Sequence, residues 1–82
     1  MRHARIAKSP RLQRALALLE ARRPGWVTTR ALIREAHVCA VNSIVAELRA
    51  NGARIACEQY ADARGRRRWR YRLEALPEGW RP

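Results

Sequence analysis

Two cysteines in 82 residues, Cys39 and Cys57, are too few for a disulfide framework, and neither stands in a Cys-x-x-Cys pair or beside histidines at zinc spacing. Zinc fingers and disulfide-stapled scaffolds are excluded, no metal is expected, and both thiols are expected to be buried. No run approaches the ~18 apolar residues that cross a bilayer, and the basic stretch Met1 to Lys8 is not followed by a signal-type apolar segment. No membrane partner is therefore expected, and the location expected is cytoplasmic. Glycine and proline number four each, which leaves the chain free to form a core. At this length it is one small domain, since two cores of ordinary size do not fit.

Acidic residues are scarce too. Seven Asp and Glu face 18 Lys and Arg, for a net charge of +11, and seventeen of those cations are arginine. Such a surplus points to a polyanionic partner.

Catalytic patterns are also missing. No nucleophile stands beside a base, no Gly-rich loop precedes a helix in a phosphate cradle, and no His-Glu-x-x-His or paired-carboxylate motif occurs. His37 and Cys39, two residues apart across a turn, are not a nucleophile arrangement. The chain is expected to be no enzyme, with no cofactor and no small-molecule substrate.

What is present begins at Ser9-Pro10, a cap followed by a proline suited to the first helical position. Leu12, Ala15, Leu16 and Leu19 recur at helical spacing until Pro24-Gly25, which predicts a helix over 10–22. Trp26-Val27 reads as a short extended segment before the capping Thr28-Thr29, and a second helix runs from about Thr29 to Ala36. After His37-Val38-Cys39 a third helical pattern spans Ala40 to Asn51, ended by Gly52 in the position just past a helix. On its wheel Ala40, Val41, Ile44 and Leu48 share one sector, while Asn42, Ser43, Ala46, Arg49 and Ala50 lie opposite. Glu47, at the border, is expected to hold a nearby arginine.

Beyond Gly52 the period changes to two. Ile55 and Cys57 alternate with Arg54, Ala56 and Glu58, and Trp69, Tyr71 and Leu73 alternate with Arg68, Arg70 and Arg72. The pattern predicts a hairpin of about 53–60 and 66–73 around Ala61 to Gly65, with Trp69 and Tyr71 as core partners of Ile55. A basic N-terminal tail (1–8) and a C-terminal tail (74–82) flank a domain at 9–73.

The order helix, short strand, helix, turn, helix, hairpin is that of a winged helix-turn-helix domain of the α+β class. Gly25-Trp26-Val27-Thr28-Thr29, Leu32, Ala36, Val38, Asn42, Ile44, Glu47-Leu48-Arg49, Asn51-Gly52 and Ile55 resemble the small helix-turn-helix domains of phage, prophage and bacterial proteins, over about residues 10–73. One departure is His37, where many such domains place glycine for a positive φ; histidine enters that region more readily than most residues. The resemblance implies a duplex-DNA-binding module, such as a small transcriptional regulator or a prophage-associated protein, with the third helix in the major groove and the hairpin as a wing.

On that reading Asn42, Ser43, Ala46 and Arg49 face bases, because Asn and Arg pair bidentately with adenine and guanine edges and alanine permits close approach. Arg64, Arg66, Arg67, Arg68, Arg70 and Arg72 contact phosphates from the wing, and Thr28, Thr29 and Arg30 do so from the start of the second helix. A homodimer on a palindromic site is compatible with this arrangement. Two other classes stay open: a protein-interaction domain whose basic face meets an acidic partner, and an RNA-binding protein.

Overall fold

A computed structural model describes residues 5–80. Its first long element forms where the sequence caps it: Ser9 is extended, and its Oγ accepts from the Leu12 N–H at 3.4 Å, with Pro10 at the first helical position. The resulting α1, Pro10–Ala21, buries Leu12, Ala15, Leu16 and Leu19. Each leucine so buried contributes about 1.5–3 kcal/mol of hydrophobic stabilisation.

The chain then passes a cis Arg23-Pro24 peptide into β1, Val27–Thr28, one residue later than expected. The Thr28 hydroxyl accepts from the Ala31 N–H at 3.0 Å, capping α2, Thr29–Glu35. In the turn that follows, His37 has φ 54° and Ala40 φ 52°. The turn is tied to α1 by Arg14, whose Nε donates to the Ala36 carbonyl at 2.9 Å and whose Nη2 donates to that of His37 at 3.3 Å.

The third helix, α3, is Val41–Ala50. Ala40, expected inside it, is instead its exposed, left-handed N-cap with no side chain able to cap. Val45 takes its place among the buried residues with Val41, Ile44 and Leu48. At its end Gly52, φ 102°, donates to the Arg49 carbonyl at 2.9 Å and Ala53 to that of Leu48 at 3.0 Å. This is a Schellman closure, which needs the left-handed conformation that glycine adopts without a Cβ penalty.

The strands β2, Arg54–Ala61, and β3, Arg67–Ala75, form an antiparallel hairpin, and β1 pairs with the other side of β3 to give a sheet of order β1-β3-β2. Ile55 faces Leu73, Cys57 faces Tyr71, Gln59 faces Trp69, and Val27 lies opposite Tyr71. The molecule is thus a small α+β domain of three α-helices and a three-stranded antiparallel sheet. One core joins them, with Leu12, Leu16, Leu19, Leu32, Ile44, Leu48 and Leu73 almost wholly enclosed.

Four expectations are corrected. Trp69, read as core, is 46% exposed, because the helical cover reaches Tyr71 (3%) and Leu73 (2%) and stops short of the next inward-facing position. Both cysteines are exposed: Cys57 sits where that cover ends, and Cys39 lies in the turn before α3. The described part of the N-terminal tail is packed, with Ile6 buried in a short 3-10 turn, its N–H donating to Asn51 Oδ1 at 3.3 Å. The C-terminal segment is packed as well. β3 runs to Ala75, Pro77 is buried near Gly52, and Leu76 and Trp80 lie against the core. The remainder of each expected tail, 1–4 and 81–82, lies outside the described residues.

Candidate functional site

The outward face of α3 carries Asn42, Ser43, Ala46, Arg49 and Ala50, all exposed. Ser43, Ala46 and Ala50 present a small surface, and alanine and serine at successive turns let another molecule approach the helix closely. Asn42 and Arg49 lie where α3 meets the hairpin, in a groove of about 290 Å³ shared with Cys57, Trp69 and Tyr71. There the Tyr71 hydroxyl donates to Asn42 Oδ1 at 3.4 Å, which leaves the amide N–H₂ available as a donor. Arg49 Nη2 donates to the Ile55 carbonyl at 2.7 Å, so this guanidinium is laid over the seam between helix and strand. Glu47 is partly buried, with its Oε2 3.6 Å from Arg11, which is the arginine partner expected for it.

The six hairpin arginines divide into two groups. Arg68, Arg70 and Arg72 project from the sheet face opposite to Tyr71 and Leu73, and each has an acidic partner. Arg68 Nε is 3.1 Å from Asp62 Oδ2, and Arg72 Nη2 is 3.5 Å from Glu74 Oε2. Arg70 Nε donates to Glu58 Oε1 at 2.7 Å, and its Nη2 reaches the same oxygen. Two of these guanidiniums also lie on aromatic rings: Arg70 is 5.0 Å from the Trp26 centroid and 5.1 Å from that of Tyr60, and Arg72 is 4.6 Å from Trp26. Cation–π contact of this kind is worth about 0.5–1 kcal/mol at an exposed site.

Arg64, Arg66 and Arg67, at the hairpin tip, are exposed and have guanidiniums with no partner among the described residues. Their positions are set by Asp62, whose Oδ1 accepts from the N–H groups of Arg64 and Arg66, each at 2.9 Å, while Gly65 at φ 77° completes the turn. The Arg66 and Arg64 N–H groups and the Arg68 guanidinium hold the Asp62 carboxyl below its ordinary range, the Arg66 bond being the largest cause.

At the start of α2, Thr28 is spent on capping and Thr29 Oγ1 donates to the Trp69 carbonyl at 3.3 Å, whereas Arg30, and Arg34 one turn on, are exposed and have no partner among the described residues. Among the described residues no group of three or more His, Cys, Asp or Glu side chains is gathered as metal ligands. No helix among them is long and apolar enough to cross a membrane.

Sequence reasoning missed Trp26, Tyr60 and Glu58 as partners of the stripe. Cross-strand pairing carried the signal, since Glu58 lies opposite Arg70 and Tyr60 opposite Arg68, but only once the register is known. Comparison with protein-family models, with characterised proteins and with solved structures gives no match for this chain, so the role of this surface rests on its chemistry.

Proposed function

We propose that this chain is a winged helix-turn-helix module that binds duplex DNA, with α3 entering the major groove and the β2–β3 hairpin serving as a wing on the phosphate backbone. The observation that carries this reading is that one small domain combines a small, polar, exposed face on α3, joined to the hairpin through Asn42–Tyr71 and Arg49–Ile55, with exposed arginines that have no partner among the described residues, Arg64, Arg66 and Arg67 at the hairpin tip and Arg30 on α2. The major groove admits a helix, and the contacts that position such a helix come from cations at its flanks. Asn42 then reads a base edge through its amide N–H₂, with Ser43, Ala46 and Arg49 beside it. The module binds without catalysing, as a small transcriptional regulator or a prophage-associated protein, and two copies occupy a palindromic site if it dimerises there.

Anisotropy titrations of the full chain against duplex DNA, single-stranded DNA and structured RNA at one salt concentration test the reading. Duplex DNA is expected to bind most tightly, and the affinity to fall linearly in log salt with a slope of about −4 to −5 if four to six arginines each neutralise a phosphate. Preference for structured RNA, or no binding to any of the three, overturns it.

A further inference from the structure

Ile33 and Trp69, at 48% and 46%, are the exposed large hydrophobic residues among those described. They come from elements far apart in sequence yet line one cleft of about 410 Å³ between α2 and the hairpin, with the Tyr60 ring as part of its wall. A single exposed apolar side chain is ordinary, whereas two converging on one depression mark a contact surface. DNA reading by α3 does not use Ile33, which neither stacks on a base nor bonds its edge.

The charges of the cleft are asymmetric. Its α2 wall carries Arg30 and Arg34, neither with a partner among the described residues, while its hairpin wall carries Arg68 closed on Asp62. The Asp62 carboxylate is held ionised by backbone N–H groups as well. A nucleic-acid strand run through the cleft would set phosphates against that carboxylate, and a second copy of the chain would bring another +11 of like charge. Beside the cleft, β1 pairs with β3 only at Tyr71 and Arg70, so among the described residues the stretch Arg67–Trp69 has no strand on its α2 side. The Trp69 carbonyl on that edge already accepts from the Thr29 hydroxyl, so an extended segment in the cleft is held through its side chains rather than by pairing with β3.

We infer that this cleft is a second binding surface, for a short extended peptide that sets a bulky apolar side chain between Ile33 and Trp69 and its carboxylates against Arg30 and Arg34. The apolar anchor removes the two exposed side chains from water, and the carboxylates answer the two unpaired guanidiniums. The surface shares Arg30 with the proposed DNA contacts and Trp69 with the groove beside Asn42 and Arg49, so Ile33 is the residue that separates the two readings.

A fluorescein-labelled peptide, Asp-Asp-Leu-Phe-Asp-Asp, titrated into the full chain tests the inference, with two controls: Lys in place of Asp, and Ser-Ser in place of Leu-Phe. Saturable binding is expected for the parent peptide and not for either control. I33S and W69A are each expected to weaken it about tenfold, as truncation of an anchor site does. R30A/R34A is expected to weaken it at low salt and much less at high salt. Circular dichroism confirms that each variant is folded, and Ile33 and Trp69 are exposed enough for both to tolerate change. Duplex-DNA affinity measured on I33S is expected to match the parent, which separates this inference from the preceding one. Equal binding of a control peptide overturns the inference, as does I33S weakening duplex DNA as much as peptide. Displacement of the peptide by oligothymidylate, with the oligothymidylate affinity lost in W69A, would replace it with a base-stacking site.

Discussion

From the Ile55–Leu73 pair to the Cys57–Tyr71 pair the inward face of the hairpin lies against the helices, whereas at Gln59–Trp69 and beyond it is bare. The outward face changes at nearly the same place. Arg68, Arg70 and Arg72 are matched by Asp62, Glu58 and Glu74 and rest partly on Trp26 and Tyr60; the guanidiniums of Arg64, Arg66 and Arg67 have no acidic partner among the described residues. One stretch of chain therefore does two jobs. Its base is fastened to the domain by apolar burial and satisfied charge, and its tip offers unsatisfied charge and exposed aromatic surface to another molecule.

The largest expected effect separates two aromatic residues that sequence alternation treats alike. Tyr71→Ala removes a ring that is 3% exposed and is expected to destabilise the fold by about 3–5 kcal/mol. Trp69→Ala, at a half-exposed position, is expected to cost less than about 1 kcal/mol. Urea unfolding of the two variants measures both, and equal losses would erase the division between base and tip.

Next in size is the split among the arginines. Replacing Arg64, Arg66 and Arg67 together by alanine is expected to leave stability within about 0.5 kcal/mol of the parent. The same change is expected to flatten the salt slope of duplex binding by up to about 2.7, three phosphates at about 0.9 each. Arg70→Ala is expected to show the reverse, a stability loss of about 1 kcal/mol from the Trp26 and Tyr60 contacts and the Glu58 pair, with a smaller change in slope. A base variant that flattens the slope as far as the tip triple would mean that the paired guanidiniums exchange their acidic partners for phosphates.

Smaller still are the two left-handed residues of the turn between α2 and α3. His37→Gly and Ala40→Gly are each expected to change stability by less than about 1 kcal/mol, in the stabilising direction where relief of φ strain outweighs the added freedom of the unfolded chain. Duplex affinity should not change in His37→Gly, since the His37 group engaged in the structure is its carbonyl, which accepts from Arg14. Thermal unfolding and the same anisotropy titration decide both points.

These comparisons also show which features were legible in the sequence. Caps and periodicity act locally, so Ser9, Thr28, Gly52 and the switch to period two place the three α-helices and the two hairpin strands to within two residues. Alternation tells which face of a strand looks inward but not how far the opposing layer extends, which is why Trp69 and Cys57 were misjudged while Tyr71 and Leu73 were not. Ala40 gives no sign of its left-handed backbone, because the conformation is imposed by packing around the turn. The burial of Ile6, Pro77 and Trp80 rests on single apolar residues in short segments, where no period can form. The candidate site was legible as a composition, a run of arginines beside a polar helix face. Its division into satisfied and unsatisfied cations depends on cross-strand register.

The smallest expected effect concerns Asp62, which stands between base and tip by accepting from the N–H groups of Arg64 and Arg66 and pairing with Arg68. These contacts favour the charged carboxylate, so its folded pKa lies below the ordinary aspartate value it takes when unfolded. A depressed carboxylate contributes stability that is fully present above the unfolded pKa and is lost as pH falls through the folded one. The loss belongs to the acid range alone and leaves neutral pH untouched. Because the carboxyl is open to water, the change in global stability should be slight, and the informative reading is local. In an NMR titration the Asp62 carboxyl is expected to have a midpoint below that of an unstructured aspartate, with the Arg64 and Arg66 amide signals moving at the same pH. Protonation should then loosen the turn that aims Arg64, Arg66 and Arg67 while the Tyr71 and Leu73 signals stay fixed. An ordinary midpoint, or core signals that move with the turn, would show that the tip is not held by Asp62 and that base and tip are not separable parts.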